Sequence, residues 1–331
     1  EILRCLVGSE MCIRDSIITW VLSIGINQTK RTNDVMVLIK LAIIVLFIVC
    51  AVWYVKPSNW QPFSPYGIYT FQPGSTQPYG IVPAASIVFF SFIGFDAVSS
   101  SAEETINPNK TLPRGILLSL AVSTVLYIVM TMIMTGVVPY KEFAKYIDAP
   151  VAGVILETGM NWLAVIVNLG ALIGMTTVML VQLYGQSRIC YAMSRDGLFP
   201  KFFGHVHEKY RTPFKGTWFF GLLTAFAGGF ININVLFELV NIGTLSAFII
   251  VSAGILWMRK TQPNAPRGFR APGVPVTPIL AIVFCFVLIA GLNWETWVRF
   301  AVWFGLGLIV YFGYSRTVSY THLTLPTILL V

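Results

Sequence analysis

A glycine and a carboxylate stand together in a stretch of the chain that starts as an apolar helix at bilayer depth. The stretch covers 89–108 and reads FFSFIGFDAVSSSAEETINP, with Gly94 and Asp96 inside it. Glycine weakens a helix by about 1 kcal/mol relative to alanine. A carboxylate at membrane depth costs roughly 2.5–3.5 kcal/mol on the lenient insertion scale. The two together predict a broken helix, whose freed backbone groups face a cavity and can bind a polar ligand.

Other charged residues lie at the ends of apolar stretches. Glu238, in NVLFELVNIGTLSAF, is either solvated at the membrane surface or part of an outer gate. Glu103 and Glu104 follow the broken segment, and Arg188 and Arg195 are candidate partners for them in an inner charged gate, although solvation of these charges is equally compatible with the sequence. No HExxH motif, GxSxG motif or His–Asp pair lies within the apolar stretches, so the pattern indicates binding rather than catalysis.

The amino-acid composition of the chain indicates a membrane protein. Of 331 residues, 56% are hydrophobic and only 11% are charged, with a mean hydropathy of +0.75, whereas soluble domains average about 25% charged residues. The five cysteines form no CxxC pair and the three histidines fall in loops or the tail, so we expect no disulfide framework, metal site or cofactor. The net charge of +8 reflects membrane topology rather than a nucleic-acid partner.

Eight stretches are long and apolar enough to cross or nearly cross a bilayer, which requires roughly 20 residues. They are 35–55, 81–100, 115–138, 162–186, 215–230, 233–257, 275–291 and 297–314. The loops between them alternate in charge. One set, comprising 26–34, 101–114, 187–214, 258–274 and the end near Arg316, carries nearly all loop lysines and arginines, and the opposite set carries only Lys56, Lys141 and Lys145. The positive-inside rule therefore places the first set in the cytoplasm.

The two ends of the chain do not continue this pattern. Residues 17–25 are apolar but cover only about half a bilayer, and Glu10, Arg14 and Asp15 precede them. We expect 1–16 and 317–331 to be non-native tails that bury little surface, with 17–316 forming the transmembrane domain. Genuine short tails are the alternative. Either interpretation predicts that the N-terminal part of a longer protein is lacking.

Five motifs give the chain a family resemblance. They are NDVMVLIKLAII, FFSFIGFDAVSSSAEETINPNKTLPRGI, YGQSRICYAMSRDGLFP, LVNIGTLSAF and RGFRAPGVPVTPIL. In this order they resemble the amino acid–polyamine–organocation superfamily of permeases, most closely its cationic amino acid transporter branch. The resemblance covers about 17–314. It implies an all-α membrane protein with the inverted repeats of the leucine-transporter fold, from the end of the family's helix 4 through helix 12, with helices 1–3 and most of helix 4 absent.

The resemblance also implies a substrate site on the family's broken helix 6. Its residues here are Phe90, Ser91, Phe92, Ile93, Gly94 and Phe95. The backbone carbonyls of Phe90, Ser91 and Ile93 would accept hydrogen bonds from a substrate ammonium, which has three donors and no acceptor. The rings of Phe92 and Phe95 would close over the site. Asp96 would either hold the unwound segment by accepting backbone amides, the interpretation we favour, or face a polar cavity.

Lys40, in VMVLIKLAII, has two interpretations. A lysine near a helix end usually extends its amine to the membrane surface, and Asp34 is only about 9 Å away along the helix axis. The resemblance implies instead that the ammonium of Lys40 stands where sodium-coupled relatives hold a sodium ion, with Thr176 and Thr177 as hydroxyl neighbours. Desolvation disfavours a charged amine, so such a lysine can release a proton during transport.

The sequence therefore predicts a proton-coupled secondary transporter of amino acids. An uncoupled exchanger or facilitator is the first alternative and a multi-span membrane enzyme is the second. The expected partners are an amino acid, a proton and membrane lipids. The expected location is the plasma membrane, with the end of the last helix in the cytoplasm. Whether the substrate is cationic or neutral stays open.

Overall fold

A computed structural model describes residues 16, 18–20, 26–71, 78–95, 97–99, 105–146, 149–207, 212–231, 233–264 and 269–315. Apart from a short hairpin, the regular elements in these ranges are helical. The α-helices are α1 (Ile26–Ala51), α2 (Ile81–Val88), α3 (Pro108–Val137), α4 (Pro150–Glu157), α5 (Asn161–Arg195), α6 (Phe214–Phe230), α7 (Ile233–Thr261), α8 (Val276–Ala290) and α9 (Trp294–Val310). The hairpin pairs β1 (Thr70–Phe71) with β2 (Pro78–Tyr79) in antiparallel fashion.

Seven of the eight apolar stretches expected to cross the membrane are confirmed as α-helices over most of their length, and the eighth, 81–100, begins as α2 and continues in a 3-10 turn. Within the described ranges, six segments are long and apolar enough to cross: Asn33–Tyr54, Ile81–Ser99, Pro108–Val137, Asn161–Arg195, Val235–Thr261 and Trp294–Tyr314. The two remaining stretches form shorter helices, α6 with 17 residues and α8 with 15. The expected all-α membrane fold is therefore observed.

Several segments expected to be loops are helical instead. Helix α1 begins at Ile26, α3 begins at Pro108, α5 continues to Arg195 and α7 continues to Thr261. The sequence interpretation ended each helix where charged residues begin. Lysine, arginine and glutamine are good helix formers, and a helix need not stop at the membrane surface, so these turns extend beyond the apolar stretch.

Helices α1 and α5 pack closely because α5 presents two glycines one turn apart. A Cβ atom on Gly170 would lie 2.7 Å from Cδ1 of Ile43, and one on Gly174 would lie 3.4 Å from Cδ of Lys40. Small residues spaced in this way let two helix backbones approach each other within a membrane. The α1–α5 seam, defined here by Lys40 and Ile43 against Gly170 and Gly174, fixes the position of the lysine stem.

One apolar core lies where α1, α3, α4 and α5 meet. Its most deeply buried members include Phe47 on α1, Val154 and Ile155 on α4 and Leu163 on α5, all at most 1% exposed. Helix α4 has only eight residues, too few to cross a bilayer. It is held by this core instead.

The segment after α1 folds back over the C-terminal end of α3. The backbone amide of Lys56 and the side-chain amide of Asn59 both donate to the carbonyl of Gly136, at 2.9 and 2.8 Å. Asn59 also reaches the carbonyl of Val137 at 3.3 Å, and the indole of Trp60 donates to Met132 at 3.2 Å. The last carbonyls of a helix have no partner within the helix, and this segment, 55–60, supplies partners for those of α3.

A second core joins α7 and α8 and receives α2 from one side. Ile242 and Leu245 of α7 pack with Ile289 of α8 and with Leu292, and Phe89 and Phe300 cover them. Residues 18–20 dock elsewhere: Ile18 packs against Leu180 of α5, and Thr19 is 1% exposed. Most of the two expected tails, 1–15 and 317–331, lies outside the described residues.

Candidate functional site

The helix that starts at Ile81 breaks inside the membrane-spanning segment, as the sequence predicts. Helix α2 ends at Val88 and passes into a tighter 3-10 turn, Phe89–Phe92. Ile93 then adopts an extended conformation, and Gly94 has φ of +118°. Residues other than glycine rarely adopt such a φ. The backbone therefore leaves helical geometry at the depth where a transmembrane helix normally satisfies all its own polar groups.

A tyrosine of α3 holds one carbonyl of the broken segment. The hydroxyl of Tyr127 donates to the backbone oxygen of Ser91 at 2.8 Å. The ring of Tyr127 also packs edge-to-face against Phe92, with centroids 5.1 Å apart. The amide of Ile93 donates to the carbonyl of Phe90 at 3.2 Å. A carbonyl oxygen has two lone pairs, so those of Ser91 and Phe90 retain capacity for a further donor.

Removing the Tyr127 hydroxyl should loosen the broken segment. In Tyr127→Phe the ring contact with Phe92 stays and only the hydrogen bond is lost, which is worth about 0.5–1.5 kcal/mol. For the amino acid uptake that the family resemblance implies, we expect KM to rise by about threefold to tenfold, because binding must then order the backbone. Kinetics in proteoliposomes measure this. An unchanged KM would show that the hydroxyl does not position the Ser91 carbonyl.

Helix α7 packs two aromatic rings against the broken segment. Phe237 packs against Phe90 with centroids 4.4 Å apart. Phe248 contacts both Phe89, at 6.3 Å, and Phe95, at 5.6 Å. We call these five rings the aromatic wall. Phe92 and Phe95, expected as a lid over the site, are thus engaged by α3 and α7 respectively.

A buried polar junction lies one turn before the break. The side-chain amide of Asn241 on α7 donates to the backbone oxygen of Ser86 at 3.0 Å. The hydroxyl of Ser86 donates to the carbonyl of Leu288 on α8 at 2.7 Å. Ser86 is fully buried and Asn241 is 1% exposed. Both α7 and α8 therefore hold the same residue of α2.

The structure places Lys40 in the α1–α5 seam. Its aliphatic stem packs on Gly174, and its ammonium has no ion pair or hydrogen bond to any residue in the described ranges. Thr177 lies in the same seam: it is 4% exposed, bonds to the carbonyl of Ile173 at 2.8 Å and lies 3.6 Å from the sulfur of Met36. Thr176 is half-buried and bonds back to Leu172 at 2.9 Å. Lys40 and Thr177 are thus brought to one seam.

Glu238 forms part of a charged cluster between α7 and α9. Its carboxylate accepts a hydrogen bond from the fully buried hydroxyl of Thr296 and lies 3.5 Å from the guanidinium of Arg299. Arg299 also pairs with Glu295 at 2.6 Å. Neither the interfacial nor the gating interpretation included Arg299. The cluster ties α9 to α7 at the beginning of α9.

The expected inner charged gate is described only in part. Arg188 and Arg195 lie on α5, not in a loop. The guanidinium of Arg188 lies 5.2 Å from the ring centre of Tyr184, and Arg195 lies 4.0 Å from the carboxylate of Asp196. Their expected partners Glu103 and Glu104 lie outside the described residues, as does Asp96.

Three contributors to the site were not singled out as site residues from the sequence. Tyr127, Phe237 and Phe248 are single aromatic residues within apolar helices. Nothing in their local pattern separates them from residues that face lipid. The distance in sequence is the reason, since Tyr127 lies 36 positions after Ser91. Knowing how the helices pack would have been the only route to them.

Comparisons with known proteins identify the family to which the chain is similar. A family model for amino acid permeases matches residues 16–314. The branched-chain amino acid permease BcaP of Bacillus subtilis is 52% identical over 90% of the chain, and the methylthioribose transporter of the same organism is 44% identical over 91%. Cationic amino acid transporter 9 of Arabidopsis thaliana, a chloroplastic protein, is 29% identical over 91%. The chain spans 62% of the length of each of these relatives.

Proposed function

The chain belongs to the amino acid permease family. We propose that it is part of a secondary amino acid transporter that works by alternating access, and that its broken helix, which starts with α2, carries one half of the substrate site. The relatives are named as permeases and transporters, so a membrane enzyme has no support. The observation that carries the proposal is the break at Gly94. Its non-helical backbone offers carbonyl oxygens to an ammonium within the membrane.

We propose a neutral amino acid with an aliphatic side chain as the substrate. The aromatic wall supports this choice, since the rings of Phe90 and Phe237 beside the break offer apolar surface. A cationic side chain would require acidic partners, whereas the described rings of Phe90, Phe92 and Phe95 contact other aromatic rings. The name of the 52% identical relative, a branched-chain amino acid permease, points the same way.

Proton coupling through Lys40 is the second part of the proposal. Its support is a lysine within an apolar helix, whose aliphatic stem packs on Gly174 in the seam that also contains the buried Thr177. We propose that the Lys40 amine holds α1 against its neighbours when it is protonated, and that α1 is released when the amine loses its proton. An uncoupled exchanger or facilitator is the alternative, in which Lys40 only packs.

We also propose that the protein lies in the plasma membrane with the end of α9 in the cytoplasm. The distribution of loop charges supports this orientation. Exposed tryptophans support a membrane-spanning arrangement, because Trp53, Trp162 and Trp294 lie at helix ends and are 85%, 57% and 73% exposed. Tryptophan is enriched at membrane surfaces.

Uptake by proteoliposomes tests the function. The protein encoded by the complete reading frame that contains this chain is purified and reconstituted. Uptake of labelled leucine, arginine and methylthioribose is then measured with and without an inside-alkaline pH gradient. We expect leucine uptake that the gradient drives above equilibrium. Uptake of arginine or methylthioribose alone would overturn the substrate class, and leucine uptake that ignores the gradient would favour the facilitator.

Phe237 should set the size of the accepted side chain. In Phe237→Ala the ring that packs on Phe90 is removed, so the ratio of kcat/KM for phenylalanine to that for leucine should rise about tenfold, as expected for a size change in an apolar pocket. Competition between the two labelled substrates measures it. Phe226→Ala, on an exposed position of α6, is the matched control and should leave the ratio unchanged. A ratio that also stays unchanged in Phe237→Ala would remove Phe237 from the site.

A further inference from the structure

We propose that Asn241 is a positioning residue for substrate binding: its side-chain amide caps the first half of the broken helix and so sets where the backbone leaves helical geometry. This inference rests on the proposed function, because it concerns the same site. It assigns a task to a side chain of α7 that lies in sequence 155 residues from the group it contacts.

The position of the hydrogen bond carries the first step. In a continuous α-helix the carbonyl of Ser86 would accept the amide of Phe90, four residues later. Helix α2 ends at Val88, and Phe89–Phe92 forms a 3-10 turn, in which bonds connect residues three apart. The amide of Asn241 donates to the Ser86 carbonyl at 3.0 Å. The donor therefore stands at the turn where α-helical bonding gives way.

Burial carries the second step. Asn241 and Ser86 are 1% and 0% exposed, so solvent cannot replace the bond if it is lost. The carbonyl oxygen of the Asn241 side chain has no hydrogen-bond partner among the described residues. Burying such a group is costly, and a leucine would pack here without that cost. Helix packing alone therefore does not account for an asparagine at this position, whereas the donor bond to Ser86 does.

The third step links the bond to the site. Asn241 lies one helical turn from Phe237 on α7, and Phe237 packs against Phe90 with centroids 4.4 Å apart. Ser86 likewise lies one turn from Phe90. The cap and the ring contact thus connect the same two helices at successive turns, and together they fix the carbonyls of Phe90 and Ser91 relative to α7.

The test compares two variants at the same junction. Asn241→Leu removes the cap and keeps an apolar side chain of similar size. Ser86→Ala removes the neighbouring hydroxyl bond to Leu288 but keeps the capped carbonyl. Both are made in the protein encoded by the complete reading frame and reconstituted. The KM for labelled leucine is measured, with uptake rates normalised to the amount of folded protein, and so is the thermal unfolding temperature.

We expect Asn241→Leu to raise KM by about tenfold, equivalent to about 1.4 kcal/mol, with Ser86→Ala changing it less than twofold even if both unfold at a lower temperature. Asn241→Gln, which keeps a donor, should recover part of the loss. An equal KM in Asn241→Leu and Ser86→Ala would reduce Asn241 to a packing residue and overturn the inference.

Hydrogen exchange separates this inference from the proposed function. We expect the amides of 89–95 to exchange faster in Asn241→Leu than in wild type or Ser86→Ala, whether or not the protein transports leucine. If the wild-type protein transports no amino acid but the amides of 89–95 still exchange faster in Asn241→Leu, the proposed function is wrong and the capping role of Asn241 is supported. If wild type transports leucine and the exchange is the same in all three proteins, the cap fails alone.

Discussion

Replacing Lys40 with alanine should abolish proton-driven accumulation of substrate while leaving substrate binding partly intact. The ammonium of Lys40 is the charge that the proposed cycle loads and unloads, whereas the carbonyls of Phe90 and Ser91 lie on a different element. Without the ammonium the transporter should still equilibrate its substrate, but the pH gradient should no longer bias its two states. The expected internal concentration of labelled leucine is the equilibrium level.

The measurement is uptake into proteoliposomes under an inside-alkaline gradient, for wild type and variant. Lys40→Met is the sharper comparison, because methionine keeps an aliphatic stem on Gly174 but carries no charge. Both variants should behave alike if the ammonium matters. If Lys40→Met accumulates leucine as wild type does, Lys40 is only a packing residue of the α1–α5 seam and the coupling proposal fails.

Gly94→Ala should impair transport through the backbone alone. A Cβ atom at this position would lie 3.5 Å from the side-chain amide of Gln182, an ordinary contact, so no clash arises. The φ of +118° is the obstacle, since holding a residue other than glycine in such a region costs about 1–3 kcal/mol. We therefore expect kcat/KM for leucine to fall by about tenfold to one-hundredfold.

Gly243 on α7 is the matched control for this variant. A Cβ atom there would meet no atom within 4 Å, and the residue lies within a regular helix. Gly243→Ala should be neutral or raise stability by up to about 1 kcal/mol. The result that contradicts the prediction is a Gly94→Ala protein with wild-type kinetics, because the backbone could then not depend on the conformation seen at Gly94.

The sequence predicts those structural features that depend on residues close together in the chain. The break at Gly94 is local, because a glycine and a carboxylate interrupt one apolar stretch, and it was predicted correctly. The predicted end of α5 was wrong. The prediction ended the helix before its charged residues, but arginine and glutamine favour helices, and α5 continues to Arg195. Composition locates the membrane segment well and the end of the helix poorly.

The site itself divides in the same way. Lys40 and Thr177 were placed together by the resemblance, and the structure brings both to one seam. Tyr127 and Asn241 contact the broken helix from distant parts of the chain, at Ser91 and Ser86, and such contacts leave no periodic trace in the sequence. Predicting them requires the packing of α3 and α7, which is a property of the folded molecule.

The capped end of α3 has a consequence for the bilayer that surrounds it. Thirty residues make a helix about 45 Å long, which exceeds the roughly 30 Å of a typical hydrocarbon layer. A helix with bare terminal carbonyls must keep that end in contact with water, but those of Gly136 and Val137 already have Lys56 and Asn59 as donors. The carbonyls of Gly136 and Val137 therefore do not depend on water for a hydrogen-bond partner, and this end of α3 can lie closer to the hydrocarbon layer without leaving those two groups unpaired.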